Sequence, residues 1–120
     1  MAQVARAPVD RRVLLVEDDK DLRLMAARKL REAGYEPILA SSGVEAVRLM
    51  LRHPECRQMI TDYLLPELGG EEWIAFLERF CPDWSVVVIS AEDVDPGGFI
   101  SVPKPARFDN IISHLEHFVR

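Results

Sequence analysis

Two apolar runs in this chain end in acid. Val13-Leu14-Leu15-Val16 leads straight into Glu17-Asp18-Asp19, and Met59-Ile60-Thr61 leads into Asp62. Placed as adjacent parallel strands, these runs bring three or four carboxylates to one edge of a sheet. Crowded carboxylates repel one another, raise each other's pKa and need a cation to stay ionised together. The pattern therefore predicts a sheet edge that holds a divalent cation, with Mg²⁺ suited to hard oxygen ligands.

The rest of the chain alternates short apolar runs with segments of helical period. Strands are predicted near 12–17, 35–40, 57–62, 84–90 and 99–102. The first helix starts near Asp19, with Leu22, Met25, Ala26, Leu30 and Ala33 on its apolar face, and stops at Gly34. Ser42 followed by Glu45 predicts a capping box, opening a helix with Val44, Val47, Met50 and Leu51 inward until His53-Pro54 ends it. Leu65 to Gly70 is a breaker-rich loop, after which Trp73, Ile74, Phe76, Leu77 and Phe80 predict a third helix. A closing helix from about Ala106 turns Phe108, Ile111, Ile112, Leu115, Phe118 and Val119 inward. Such alternation implies an α/β fold, a doubly wound parallel sheet covered on both faces, with ligands beyond the carboxyl ends of the strands.

At 120 residues and 48% hydrophobic composition, one core is the expectation, spanning 12–120 after a flexible leader of residues 1–11. An excess of 20 acidic over 15 basic residues, net charge -5, argues against direct nucleic-acid binding. Cys56 and Cys81 lack metal-ligand spacing and are expected as buried free thiols rather than a disulfide. No run approaches the roughly 18 apolar residues of a membrane span, so a soluble, cytoplasmic protein is expected. His53, His114 and His117 are expected at the surface without a role, and Trp73 and Trp84 as packing residues.

Further polar residues fall at the remaining strand ends: Ser90 after the fourth strand and Lys104 after the fifth. A carboxylate at Asp62 can attack phosphorus, while a hydroxyl and an ammonium can hold transferred phosphoryl oxygens. Val-Glu-Asp at 16–18, Thr-Asp-Tyr-Leu-Leu-Pro-Glu-Leu-Gly-Gly at 61–70, Val-Ile-Ser-Ala at 88–91 and Pro-Lys-Pro at 103–105 stand in this order. In them the chain resembles the receiver domain of two-component response regulators, over about residues 12–119.

That resemblance implies a flavodoxin-like sheet of order 2-1-3-4-5. It also implies Asp62 as phosphoacceptor, Glu17 and Asp18 as the metal-binding acidic pair, Ser90 as switch hydroxyl and Lys104 as the site lysine. The Leu64 main-chain carbonyl would complete the metal shell, Lys104-Pro105 would be a cis peptide, and the phosphodonor would be a histidine kinase or histidine phosphotransfer protein. The resemblance implies a downstream protein target without specifying which. The chain departs from the family pattern between Ser90 and Lys104. Ala91 to Gly98, with the breakers Asp95-Pro96-Gly97-Gly98, leaves room for at most about one helical turn, so the fourth helix is expected reduced or absent. The aromatic that the family places three residues before its lysine is replaced by Ser101, the nearest aromatic being Phe99.

Asp19 is read as an N-cap rather than a ligand. An aspartyl-phosphate phosphohydrolase, the competing enzyme reading, would need a second acid two residues after the nucleophile, where this chain has Leu64. A phosphorylation-independent binding domain is the other alternative, and the full set of Glu17, Asp18, Asp62, Ser90 and Lys104 speaks against it. The expectation is a signalling phosphoacceptor rather than an enzyme, either a stand-alone receiver or a domain of a larger regulator or hybrid kinase.

Overall fold

The computed structural model describes residues 11–91 and 93–118, with side chains up to Leu115. The expected leader (apart from Arg11), His117 and the inward turn of Phe118 and Val119 therefore lie outside what is described. The elements run β1 (Arg12–Val16), α1 (Lys20–Glu32), β2 (Glu36–Ala40), α2 (Gly43–Arg52), β3 (Gln58–Asp62), α3 (Gly70–Phe80), β4 (Ser85–Ser90), β5 (Ile100–Pro103) and α4 (Phe108–Phe118). All strand pairs are parallel, in the order β2-β1-β3-β4-β5. This is the expected doubly wound sheet, and the strand bounds fall within about a residue of the sequence reading.

Side chains alternate across the sheet, so successive strand residues feed two cores. Leu14, Val16, Met59, Val86 and Val88 pack under α2 and α3 with Ala46, Trp73, Ile74 and Leu77. Val13, Leu15, Ile60, Val87 and Val102 pack under α1 and α4 with Ala27, Leu30, Ile111 and Leu115. Every residue of β3 is buried, which makes it the central strand and fixes the depth of Asp62 at its end. Cys56 and Cys81 are buried free thiols in the first core.

Caps follow the sequence closely. Asp19 caps α1, its Oδ1 accepting from the Leu22 N–H at 3.0 Å. Ser42 caps α2, its Oγ accepting from the Glu45 N–H at 3.1 Å. The return bond differs from a capping box: Glu45 Oε1 accepts from the Ser41 N–H at 2.6 Å and the Ser41 hydroxyl at 3.0 Å, one residue earlier than the motif implies. Gly43 follows because a Cβ there would collide with the Leu68 carbonyl. The start of α2 thus rests against the loop that leaves Asp62.

Four residues expected on inward helix faces are exposed: Leu22 and Met25 of α1, Leu51 of α2 and Phe80 of α3. Periodicity marks an apolar stripe but does not say how far along the helix a neighbour covers it. Leu22 and Met25 lie in the first two turns of α1, where they flank a groove of about 450 Å³ shared with Lys104, Pro105, Ala106 and Phe108. Leu51 and Phe80 lie in the last turns of their helices and line a groove between α2 and α3.

Between Ser90 and Ile100 the described residues contain no helix. The segment is instead pinned at one point. Gly97, at φ 64°, donates its N–H to Asp95 Oδ1 at 2.9 Å, and Gly98 donates to Glu78 Oε2 on α3 at 3.2 Å. A side chain at Gly97 would collide with that carboxylate. Sequence also explains how the sheet tolerates the loss. On β5 the side of Ile100 and Val102 faces α1 and α4, while Ser101 and Pro103 face the opposite way and are exposed. Phe99 alone packs down onto the α3 core from this end. Amides of Asp93 and Val94 are expected to exchange with solvent at nearly the unprotected rate while those of β4 are slowed by orders of magnitude. Hydrogen exchange with residue resolution checks this, and protection typical of two helical turns would contradict it.

Candidate functional site

The carboxyl ends of β1, β3, β4 and β5 converge, and each delivers a polar side chain. Glu17 and Asp18 follow β1, Asp62 ends β3, Ser90 ends β4 and Lys104 follows β5. Oxygen atoms of Glu17, Asp18 and Asp62 lie within 4.8 Å of one another. Asp62 is 7% exposed, whereas Asp18 is open to solvent, so the cluster grades from core to water.

Both Asp62 oxygens are occupied. Oδ1 accepts from the Tyr63 N–H at 3.0 Å, and Oδ2 pairs with Lys104 Nζ at 3.0 Å. Lys104 is itself registered by its N–H, which donates to the Ser90 carbonyl at 2.8 Å, and it precedes the cis bond to Pro105. Ser90 is buried at the end of its strand. Leu64, two residues beyond Asp62, is 63% exposed.

Electrostatics follow from the crowding. The Glu17 carboxyl is held above the ordinary carboxylate range, chiefly by burial, with the Asp62 charge adding to the rise and the Asp19 N–H opposing it. Burial works against the charge on Lys104. The hydrogen bond and charge of Asp62, with Glu17 and Asp18 behind, outweigh it and raise the ammonium pKa. The Lys104 ammonium thus already offsets part of the acidic charge, beside the divalent cation that the sequence leads one to expect.

Two supports escaped the sequence reading. Trp73 on α3 donates its Nε1–H to Thr61 Oγ1 at 2.8 Å, and the Thr61 hydroxyl donates to the Asp62 carbonyl at 2.9 Å. Arg23 on α1 reaches back with Nη1 to the carbonyls of Glu17 at 2.8 Å and Asp18 at 3.4 Å. The first has no sequence signal, because a buried tryptophan reads only as core. The second has a faint one: helical side chains lean toward the N-terminus, and Arg23 lies one turn after the cap.

A family model for the response regulator receiver domain matches residues 13–116. The chain belongs to that family. Among curated proteins it is similar to the response regulator MprA of Mycobacterium leprae (strain TN), 29% identical over 118 residues, covering 91% of this chain and 51% of that protein. It is also similar to a response regulator receiver protein of Anaeromyxobacter sp. (strain Fw109-5), 33% identical over 110 residues, covering 85% of this chain and 46% of that protein. The chain thus spans about half the length of these relatives. Among solved structures, the receiver domain from the hybrid histidine kinase CckA superposes with a TM-score of 0.77 at 26% identity, covering 91% of this chain and 99% of that one. No helix among the described residues is long and apolar enough to cross a membrane.

Receiver domains typically bind Mg²⁺. The donor set here fits such an ion: three carboxylates of hard oxygen within one ion's reach, one of them open to water for the remaining positions. Asp18→Asn is expected to weaken Mg²⁺ binding about tenfold by removing one anionic ligand. Because burial raises the Glu17 pKa, with the Asp62 charge adding to it, affinity should climb with pH as that carboxyl ionises. Mg²⁺ titrations of both proteins, followed by amide shifts across pH, check this. Equal affinities would contradict the ligand role of Asp18.

Proposed function

We propose that this receiver domain is a phosphoacceptor: Asp62 takes a phosphoryl group from a phosphohistidine on a histidine kinase or phosphotransfer protein and signals by changing which proteins its surface binds. The observation that carries this reading is the Asp62 carboxylate, buried at the end of β3, 3.0 Å from Lys104 Nζ and beside two further carboxylates. Glu17, Asp18, Asp62 and the Leu64 main-chain carbonyl would hold Mg²⁺. The ion's charge offsets the negative charge that builds on the oxygens in transfer.

An Asp62 oxygen forms the new O–P bond as the donor N–P bond breaks, and the imidazole leaves with the electron pair and takes up a proton. Tyr63 N–H orients the carboxylate during the approach. Lys104 then exchanges its bond to Asp62 for one to a phosphoryl oxygen, and the Ser90 hydroxyl supplies another donor. That exchange pulls on the ends of β4 and β5 and shifts the populations of the segment between them. Since Ser101 replaces the family aromatic and the described residues between β4 and β5 form no helix, the stretch from Asp93 to Phe99 is the responding surface.

A protein donor has a surface to dock on. Leu22 and Met25, exposed beside Glu17, Pro105 and Phe108, offer apolar contact within reach of the site. Intact mass after incubation with Mg²⁺ and acetyl phosphate tests the acceptor role. Addition of one phosphoryl group, mapped to Asp62, is expected; no addition overturns it.

Dephosphorylation should be slow, because Leu64 is apolar and cannot orient an attacking water. Leu64→Asn is expected to speed loss of the phosphoryl group about tenfold or more, within the range that general catalysis by a positioned group supplies. The decay of phosphorylated protein by intact mass measures it, and an unchanged rate would remove water positioning as the limit.

A further inference from the structure

The acidic edge poses a geometric problem that its carboxylates do not solve. Along a strand, consecutive side chains and consecutive carbonyls point in opposite directions. Glu17 and Asp18 directly follow β1, yet an oxygen of each lies within 4.8 Å of one on Asp62. The chain must therefore turn sharply between Val16 and Asp19. At this turn both carbonyls accept from one nitrogen, Arg23 Nη1, at 2.8 Å and 3.4 Å.

We propose that Arg23 is a positioning residue for the acidic edge, holding the main chain of Glu17 and Asp18 so that both carboxylates face Asp62. The proposal rests on the phosphoacceptor reading and adds to it the group that gives the metal-binding pair its shape. Glu17 is fixed on each side: its N–H donates to the Ala40 carbonyl at 3.0 Å, its carbonyl accepts from Arg23, and its carboxylate accepts from the Asp19 N–H at 3.1 Å. Asp18 has the Arg23 bond at its carbonyl and an exposed side chain. Release of Arg23 frees Asp18 first.

Charge and geometry predict opposite effects here, which makes the role separable. A guanidinium next to a cation site repels the cation, so removing it should tighten Mg²⁺ binding if charge is all that matters. The same guanidinium holds its two Nη1 hydrogens in a fixed plane, one for each carbonyl, where an ammonium on a flexible stem could reach the same acceptors but would lose more freedom in doing so. Its field also reaches Glu45, the residue that ties Ser41 at the neighbouring β2–α2 corner and whose carboxyl is lowered mainly by those Ser41 bonds. Arg23 thus stands between two loops at the carboxyl edge.

The test is a Mg²⁺ titration, followed by amide shifts, and acetyl phosphate labelling of wild type, Arg23→Met, Arg23→Lys and Ala27→Gly. Ala27→Gly weakens α1 without touching the loop. Arg23→Met is expected to bind Mg²⁺ about tenfold more weakly despite the lost positive charge, with labelling slowed at low Mg²⁺ and recovered at saturating Mg²⁺. Arg23→Lys should recover part of the affinity, and Ala27→Gly should match wild type. Equal or tighter binding by Arg23→Met overturns the proposal, as does an equal loss in Ala27→Gly, which would make the effect one of helix stability. Wild type that neither binds Mg²⁺ nor labels at Asp62 overturns the phosphoacceptor reading, and this proposal with it.

Discussion

Asp62→Asn is expected to accept no phosphoryl group from acetyl phosphate or from a phosphohistidine donor, while remaining folded. A carboxylate oxygen is anionic and attack through it gives an acyl phosphate, whereas an amide oxygen is neutral, a weak nucleophile, and attack through it would give a charged imidate instead. The substitution also breaks the local pairing. An Asn at this place can accept from the Tyr63 N–H only by turning its NH₂ toward the Lys104 ammonium, so one of the two bonds to Asp62 is lost. That costs about 1 kcal/mol. Relief of repulsion acts the other way, because the Asp62 charge helps hold the Glu17 carboxyl above its ordinary range. The Glu17 pKa should therefore fall in the variant. Intact mass and a carboxyl titration read both effects, and a phosphoryl group retained on Asp62→Asn would move the acceptor to another residue.

The largest expected loss of stability comes from Trp73→Ala. Trp73 is fully buried, stacks on Phe76 at 5.7 Å between centroids, and donates to Thr61 at 2.8 Å. Truncating a buried tryptophan removes about 3–5 kcal/mol, a large share of the roughly 5–15 kcal/mol that holds a domain together. Trp73→Phe keeps most of the ring and loses the indole donor, so it should cost about 1–2 kcal/mol. The bond it loses lies one residue from Asp62, and its amide shifts should reach Tyr63. Urea unfolding gives the energies. A loss below about 1 kcal/mol in Trp73→Ala would mean that the cavity collapses onto Phe76 and that the indole anchors nothing.

The acidic edge was legible in the sequence because apolar runs and the residues that end them are local features. Glu17, Asp18, Asp62, Ser90 and Lys104 each stand at a strand end, and parallel topology brings strand ends together whatever the loops do. That the described residues between β4 and β5 form no helix was legible for a similar reason: Asp95-Pro96-Gly97-Gly98 breaks a helix locally, and the count of residues leaves little room for one. What escaped depended on neighbours. Leu22, Met25, Leu51 and Phe80 continue helical stripes, and only the packed structure shows where the cover stops. The Glu45 carboxylate chose Ser41 over Ser42 through a corner geometry that no spacing encodes. Arg23 and the Trp73–Thr61 bond act on main-chain atoms of the site, and a sequence displays side chains.

The uncovered side of β5 bears on how the protein behaves in a crowded solution. An outer strand offers unpaired main-chain groups along its edge, and where its face is uncovered often a row of apolar side chains too, which together invite edge-to-edge aggregation. Here Pro103 has no N–H to offer an incoming strand, and Ser101 beside it is polar and exposed. The strand is also only four residues long. β5 thus presents a short, blunt margin that a second strand gains little by joining, and Ser101→Val is expected to make that margin stickier.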